Sequence, residues 1–243
     1  MISVILYIYF LVLSFITIVV LIVLRTLLFP FKCADRVVHS TLCFACRFFF
    51  GGSLWWPIEI IGKENIDKSK SRVYVYNHQA MMDIPTFHML RICSRSVAKK
   101  EVYYIPIFGT MIYLRGAITI KRENAKVAME RVIRDGKKTL ERGESVNVFP
   151  EGTRSKDGEI HRFKAGAFAL AKSAGVEIVP VVMDGTKFAF KKNYLINWRN
   201  KTTIKVLPPI SREIVESTDV KELAMLVQDK MTKALDSIRK GNL

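Results

Sequence analysis

The first 24 residues of the chain contain no Asp, Glu, Lys, Arg or His, and Arg25 is the first charged residue. At about 1.5 Å per residue, a helix of this length extends about 36 Å, enough to cross a hydrocarbon core about 30 Å thick. A secretory signal peptide fits poorly, because the stretch has no basic N-terminal region and no small-residue cleavage site before Arg25. The segment therefore predicts a membrane-associated helix.

A second apolar segment, residues 37–50, follows closely. It is too short to span a bilayer, so an interfacial or re-entrant helix is expected, with Arg47 and the Trp55–Trp56 pair at the depth of the lipid headgroups. Basic residues just after the first segment favour the cytoplasmic face of the cell membrane for the rest of the chain. Residues 1–61 are thus predicted to form a membrane-anchoring helix pair in one leaflet, with a single full span as the alternative.

Composition narrows the class of protein further. The chain has 38 Lys and Arg against 22 Asp and Glu, a formal net charge of +16, and 50% hydrophobic residues. This apolar content excludes a disordered chain, and the single long uncharged stretch excludes a polytopic transporter. Four cysteines are too few for a disulfide scaffold. Cys43 and Cys46 have a zinc-like spacing but no second pair, so no metal site is expected.

A basic stretch between residues 187 and 205 alternates with aromatic residues. Such a pattern is typical of a surface that contacts anionic lipid, of a single-strand nucleic-acid binder, or of a plain solvated loop. The membrane-associated segment favours lipid. A phospholipid membrane is therefore the expected partner, and no nucleic-acid partner is expected.

The remainder, residues 62–243, alternates strand-like and helical segments. Strands are predicted at residues 72–76, 117–120, 145–149, 177–182 and 203–207. Helices are predicted at residues 125–141 and 165–174, and a final helix begins near 219 and ends near 241. This alternation predicts a catalytic-sized α/β domain with a largely parallel or mixed sheet flanked by helices.

Polar residues follow the first predicted strand of this domain, where residues 77–83 have the sequence NHQAMMD. The turn after the strand can bring Asp83 back to His78, so that the carboxylate orients the imidazole and leaves the other ring nitrogen to accept a proton. A surface histidine followed by a helix-capping aspartate is the alternative explanation of this spacing.

A second polar motif, FPEGTRS at residues 149–155, follows the strand at 145–149. Gly152 permits a close approach of the backbone to a ligand, and Thr153 and Arg154 supply donors suited to phosphate. Glu151 can accept hydrogen bonds from hydroxyl groups. A solvated surface turn is the alternative.

Together the two motifs resemble those of the glycerolipid acyltransferase family, most closely its bacterial lysophosphatidate acyltransferase branch. Two further stretches agree with this resemblance. Residues 99–122 contain the sequences KKE and IPIFG and end at Arg122, and residues 179–182 have the sequence VPVV. Lys121 stands where the family commonly has an acidic residue before its arginine.

The resemblance implies a transferase that moves a fatty acyl group from a thioester to the sn-2 hydroxyl of lysophosphatidate in a ternary complex. His78 would be the general base and Asp83 its orienting carboxylate. The residues that the resemblance places around the acceptor are Lys100, Arg122, Glu151, Gly152, Thr153 and Arg154.

The acyl donor would be an acyl-carrier-protein or coenzyme A thioester, and no cofactor beyond this donor is expected from the motifs of the sequence. The sequence has no P-loop or dinucleotide-binding motif. Two alternatives stay open: an acyltransferase for glycerol 3-phosphate or a headgroup-bearing lysophospholipid, and a non-catalytic protein that binds anionic lipid.

Overall fold

The computed structural model describes residues 2–31, 33–50, 56–121, 124–190, 193, 195–197 and 200–241. Within them a seven-stranded sheet is formed by β1 (Ile58–Ile61), β2 (Val73–Tyr76), β3 (Ser94–Lys99), β4 (Ile118–Ile120), β5 (Ser145–Val148), β6 (Ile178–Asp184) and β7 (Thr202–Val206). The spatial order is β1-β7-β6-β2-β5-β3-β4. The five strands from β6 to β4 are parallel, whereas β7 is antiparallel to β6 and parallel to β1. The predicted mixed α/β sheet is confirmed.

Helices cover both faces of this sheet: α3 (Asp83–Phe87), α4 (Phe108–Arg115), α5 (Ala125–Glu141), α6 (Gly166–Ala174), α7 (Arg212–Ser217) and α8 (Val220–Arg239). Strand β2 reads VYVY, and side chains alternate between the faces of a strand. Its valines pack in the core formed with α5, α6 and α8, while Tyr74 and Tyr76 pack on the opposite face with Phe87 of α3. All four side chains are buried, as expected for a parallel strand covered on both faces.

Two antiparallel helices precede the sheet: α1 (Ile2–Leu27) and α2 (Ala34–Phe49). The hydroxyl of Tyr9 donates to the carbonyl of Phe48 (2.6 Å), and the rings of Phe10 and Phe49 stack with centroids 4.1 Å apart. Helix α1 is long and apolar enough to cross a membrane, with a mean hydropathy of 2.9. Its buried stripe faces the protein, and most of its other side chains are exposed.

A chain of ion pairs connects this helix pair to the sheet. Asp35, at the start of α2, pairs with Arg25 at the end of α1 and with Arg95 of β3 (2.6 Å). Arg95 also pairs with Glu144 (3.0 Å), which pairs with Arg115 of α4 (2.6 Å). The Arg115–Glu144 pair is buried, so removal of one partner would leave the other charge uncompensated, at a cost of about 3–5 kcal/mol. The pairs therefore fix the helix pair against the edge of the sheet.

The structure confirms the five predicted strands and the three predicted helices of the domain. It adds β1 and β3, and because β1 begins at Ile58, the sheet already includes the end of segment 1–61. One expectation about the helix pair was wrong. Trp56 is buried in the protein rather than placed at headgroup depth, and its Nε1–H donates to the hydroxyl of Thr202 (3.2 Å). Trp55 lies outside the described residues.

Candidate active site

The two polar motifs of the sequence meet at one edge of the sheet. Residues 77–83 follow β2 and residues 149–155 follow β5, and these parallel strands are neighbours. The backbone N–H of His78 donates to Glu151 Oε1 (2.9 Å), and the backbone N–H of Ser155 donates to the carbonyl of His78 (2.7 Å). The carboxyl ends of parallel strands are where open α/β sheets bind ligands. This edge is therefore the candidate site.

Asp83 is the first residue of α3, and its side chain is fully buried. Its Oδ2 accepts a hydrogen bond from His78 Nδ1 (2.6 Å) and others from the backbone N–H groups of Gln79 (2.7 Å) and Ala80 (2.9 Å). Its Oδ1 accepts from the hydroxyl of Thr186. An ionised carboxylate can only accept, so the Nδ1 position of the imidazole carries a proton, and in the neutral form of the ring the lone pair is on Nε2.

His78 presents this second nitrogen to a large cavity. Its side chain is 15% exposed and lines the cavity, and its ring packs against Phe149 with centroids 4.3 Å apart. In the described part of the chain, Nε2 has no hydrogen-bond partner. A neutral imidazole that is oriented on one side and open on the other is suited to act as a general base.

A second histidine, His88, also lines the cavity but is a poorer candidate for a base. Burial lowers the pKa of His88 to about 4. Its Nδ1 is hydrogen-bonded to the carbonyl of Ile84 (2.8 Å), and its ring stacks on Phe87. General bases work best when their pKa lies near the operating pH, so His88 is a structural side chain.

Several residues that the sequence did not single out hold the acid–base pair in place. The side-chain amide of Asn77 donates to the carbonyl of Met183 (2.8 Å) and accepts from its N–H (2.7 Å), which extends the ladder between β2 and β6. Gln79 Nε2 donates to Asp184 Oδ1 (3.0 Å). Thr186 lies just after Asp184 in the chain, and its hydroxyl donates to Asp83 Oδ1. No sequence motif links these two residues, which are 103 positions apart.

Glu151 supports the loops from inside the protein. Its Oε1 accepts from the backbone N–H of His78, and its Oε2 accepts from the backbone N–H of His161 (3.3 Å). Burial raises the pKa of the Glu151 carboxyl above its ordinary value, against the lowering effect of these N–H groups. Glu151 is not among the residues that line the cavity. Its observed contacts are therefore with backbone groups that position His78.

The turn after Glu151 faces the cavity. Gly152 has φ +69°, in the left-handed region that favours glycine, and its N–H donates to the carbonyl of Phe149 (3.0 Å). Thr153 and Arg154 are exposed and line the cavity together with His78. The structure thus places a hydroxyl and a guanidinium in the same cavity as the candidate base.

The other two predicted binding residues are placed differently. Lys100 is exposed at the start of a 3₁₀ turn and is not among the cavity-lining residues, whereas its neighbour Lys99 is. Arg122 lies outside the described residues. The cavity lining also includes three exposed cations outside the predicted binding residues: Arg162, Lys164 and Lys221.

The cavity has a volume of about 1340 Å³. This exceeds the 300–1,000 Å³ that is common for a single small-molecule site, so it has room for more than one small substrate. Most of its surface is apolar, and helices α2, α3, α4, α5, α6 and α8 all contribute to it, together with β3 and the segments that follow β5. A large apolar cavity beside one polar edge is suited to substrates that carry hydrocarbon chains.

The cysteines make no metal-binding cluster in the part of the chain that the structure describes. All four are free thiols, and no group of three or more His, Cys, Asp and Glu side chains there could hold a metal ion. Cys43 Sγ lies 3.2 Å from His39 Nε2 inside α2. The reactive feature assembled by the described residues is the acid–base pair.

Comparisons with known proteins match these features to one family. The family model described as Acyltransferase matches residues 57–184, more than half of the 243 residues. The 1-acyl-sn-glycerol-3-phosphate acyltransferase of Haemophilus influenzae is 35% identical over 176 residues, covering 70% of this chain and 72% of that protein. A chloroplastic 1-acyl-sn-glycerol-3-phosphate acyltransferase of Arabidopsis thaliana is 38% identical, but the matched segment spans 37% of its length.

A solved structure shows the same fold over nearly the whole chain. The 1-acyl-sn-glycerophosphate acyltransferase of Thermotoga maritima superposes with a TM-score of 0.78 at 24% identity, covering 98% of this chain and 96% of that chain. The likeness includes the N-terminal helix pair as well as the sheet. With the family model matched across both polar motifs, the chain belongs to the acyltransferase family.

Proposed function

We propose that this protein transfers a fatty acyl group from an acyl thioester to the sn-2 hydroxyl of lysophosphatidate, giving phosphatidate. The observation that carries the proposal is His78, fixed by buried Asp83 and open at Nε2 to a large apolar cavity. The names of the Haemophilus and Arabidopsis relatives support lysophosphatidate as the acceptor.

The reaction follows from the tautomer that Asp83 imposes. The Nε2 lone pair of His78 accepts the proton of the sn-2 hydroxyl while the hydroxyl oxygen attacks the thioester carbonyl carbon. The tetrahedral intermediate then collapses, the carbon–sulfur bond breaks, and the imidazolium returns its proton to the departing thiolate. The negative charge of Asp83 stabilises the imidazolium between these steps, in the same division of labour as in hydrolase triads.

The acceptor's phosphate is assigned to the turn at residues 152–154. Arg154 offers a planar set of donors that matches a phosphate, and Thr153 adds a hydroxyl. Gly152 keeps the backbone accessible at this point. A phosphate held here lies in the same cavity as Nε2 of His78, so binding and chemistry share one site.

An acceptor panel tests this assignment. The purified protein is given an acyl thioester with lysophosphatidate, glycerol 3-phosphate or a choline-bearing lysophospholipid, and products are identified by mass spectrometry. We expect phosphatidate from lysophosphatidate at the highest kcat/KM. Arg154→Gln should raise KM for lysophosphatidate about tenfold, the effect of about one charge-assisted hydrogen bond.

The matched control for this panel is Lys156→Gln, which removes an exposed cation nearby that does not line the cavity. Its KM should stay within twofold of wild type. Preference for glycerol 3-phosphate or for the choline-bearing acceptor would assign the protein a sibling activity. Binding of anionic lipid without any transfer would favour the non-catalytic alternative.

The contacts of α1 support anchoring in one leaflet of the membrane, and the basic residues that follow the helix favour the cytoplasmic leaflet. Near its start, Ser3 Oγ accepts from the N–H of Ile196, and near its end Arg25 pairs with Asp35. Both ends of the helix therefore contact the rest of the protein on the same side. A helix that crosses the bilayer would separate its ends by about 30 Å of hydrocarbon.

The exposed apolar face of α1 would then lie in the leaflet. Replacing Phe15 and Val19, which are 68% and 44% exposed, by aspartate should release the protein from phospholipid vesicles in a flotation assay. The control is Ile214→Asp, an exposed apolar residue on α7. Retained vesicle binding by the double variant would contradict the assignment.

A further inference from the structure

The cavity reaches both faces of the sheet. Four successive residues of β3, Ser96 to Lys99, line it, and alternate side chains of a strand point to opposite faces. The ladder between β3 and β5 ends at the pairing of Ser96 with Asn147, although β3 continues for three more residues. The two strands therefore part near the site, and the opening joins the two sides.

The two arms of the cavity differ in what surrounds them. One arm lies beside the helix pair and α4, with Leu42, Cys46 and Met111 in its walls. The other arm lies between α5 and α8, on the opposite face of the sheet, where Met225 is 62% exposed. The second arm thus reaches the protein surface on the face away from the helix pair, which is the face open to water when the helix pair is the membrane anchor.

Three exposed cations that lie outside the predicted binding residues are assigned to the second arm. Arg162, Lys164 and Lys221 are exposed and line the cavity, and in the described ranges none of them forms a salt bridge, although Lys221 is close enough to Asp219 to help lower the pKa of that carboxyl. We call these three residues the donor cations.

The backbone around the donor cations is held in place. The N–H of Lys164 donates to the carbonyl of Pro150 (2.9 Å), next to the loop of His78. The N–H of Phe163 donates to Gln228 Oε1 of α8 (3.3 Å), and the buried Phe163 ring stacks with Phe168. The loop is thus tied both to the candidate catalytic edge and to the helix that carries Lys221.

The ligand follows from the charge and the location. Water-soluble fatty acyl thioesters, whether on coenzyme A or on a carrier protein, share a phosphopantetheine arm with a negatively charged phosphate beside a largely uncharged chain. Unpaired cations at an apolar mouth complement this combination.

We propose that the donor cations bind the phosphate of the phosphopantetheinyl thioester, which enters between α5 and α8 and reaches His78 from the face opposite the helix pair. This rests on the proposed acyl transfer and adds the donor's route and anchoring residues. The lipid phosphate and the donor phosphate thus have separate cations, Arg154 and the donor cations.

The test is a double variant, Arg162→Gln with Lys221→Gln, with Lys230→Gln as control because Lys230 is exposed on α8 but does not line the cavity. KM for the acyl thioester should rise about tenfold or more in the double variant, and KM for lysophosphatidate should stay within twofold. Lys230→Gln should match wild type for both substrates.

Donors of different structure separate the sources of the phosphate. An acyl-N-acetylcysteamine thioester has the same thioester without the phosphate. With this donor, the double variant and wild type should have the same KM. Separate assays with acyl coenzyme A and acyl carrier protein show which carrier depends more on the donor cations. A rise in KM for lysophosphatidate instead, or unchanged KM for every donor, would overturn the proposal.

Direct binding measurements distinguish failure of the donor-cation proposal from failure of the proposed acyl transfer. If wild type transfers no acyl group to any acceptor, calorimetric titration with coenzyme A still measures the phosphate site. Binding by wild type that weakens about tenfold in the double variant would support the donor cations without acyl transfer. Equal binding by both proteins would overturn them.

Discussion

Replacing His78 by alanine should lower kcat for acyl transfer by about 10²–10⁴-fold, the usual contribution of a positioned general base. The substitution removes the lone pair of Nε2 but leaves Asp83 with its other three donors, from Gln79, Ala80 and Thr186. The fold and the binding of both substrates should therefore survive. Steady-state thiol release at saturating substrate, with circular dichroism as a check on folding, measures the effect.

The matched control is His161→Ala. The His161 side chain is exposed and hydrogen-bonded to Asp157 (3.0 Å), and it does not line the cavity. Its loss should change kcat by less than threefold. Near-normal activity in His78→Ala, or an equal loss in the His161 variant, would contradict the assignment of His78 as the base.

Replacing Asp83 by asparagine should lower kcat by about 10–10²-fold, with KM for both substrates little changed. The amide oxygen can keep the three hydrogen bonds on the Oδ2 side, including the one from His78 Nδ1–H, while the amide nitrogen donates to Thr186. The tautomer of His78 is then retained. What is lost is the negative charge that stabilises the imidazolium.

Asparagine is more informative than alanine at this position, because alanine would leave four buried donors unpaired, at a cost of about 1–3 kcal/mol each. The control is Asp229→Asn, which removes an exposed carboxylate of α8 that pairs with Lys233. Full activity in Asp83→Asn would show that the carboxylate's charge plays no part in the reaction. Loss of folding in Asp83→Asn alone would point to a structural role.

Much of the fold was predictable because its strands are short, are rich in residues that favour β-structure, and are buried on both faces. The VYVY run of β2 and the SVNV run of β5 stand out from their polar surroundings. Strand β3 has the sequence SRSVAK. The sequence did not predict it, because Arg95, Lys99 and the two serines are polar residues typical of a loop. Its partners are distant in sequence: β3 pairs with β4 and β5, and Arg95 forms ion pairs with Asp35 and Glu144.

The contact between His78 and Asp83 was predictable, because a turn after a strand can bring two side chains five residues apart into hydrogen-bonding distance. The role of Glu151 was not. A carboxylate in a polar turn suggests contact with a substrate hydroxyl, but here both oxygens accept from backbone N–H groups of His78 and His161. That role depends on the register of two loops, which sequence spacing does not define.

Trp56 illustrates the same limit in the helix pair. An aromatic pair after an apolar helix is typical of a membrane interface, yet the partner of Trp56 is Thr202 on β7, 146 residues away. Likewise, the donor cations come from a loop and from the first turn of α8, which only the folded sheet brings to one cavity.

In the proposed reaction, the acyl group passes directly from the thioester to the hydroxyl of lysophosphatidate within one site. A single-turnover experiment with enzyme in excess tests it most directly, by following thiol release and phosphatidate formation together, with and without lysophosphatidate. We expect thiol and phosphatidate to appear at the same rate, and no thiol to be released without the acceptor. A burst of thiol before the acceptor is added, with the acyl group retained on the protein, would contradict it.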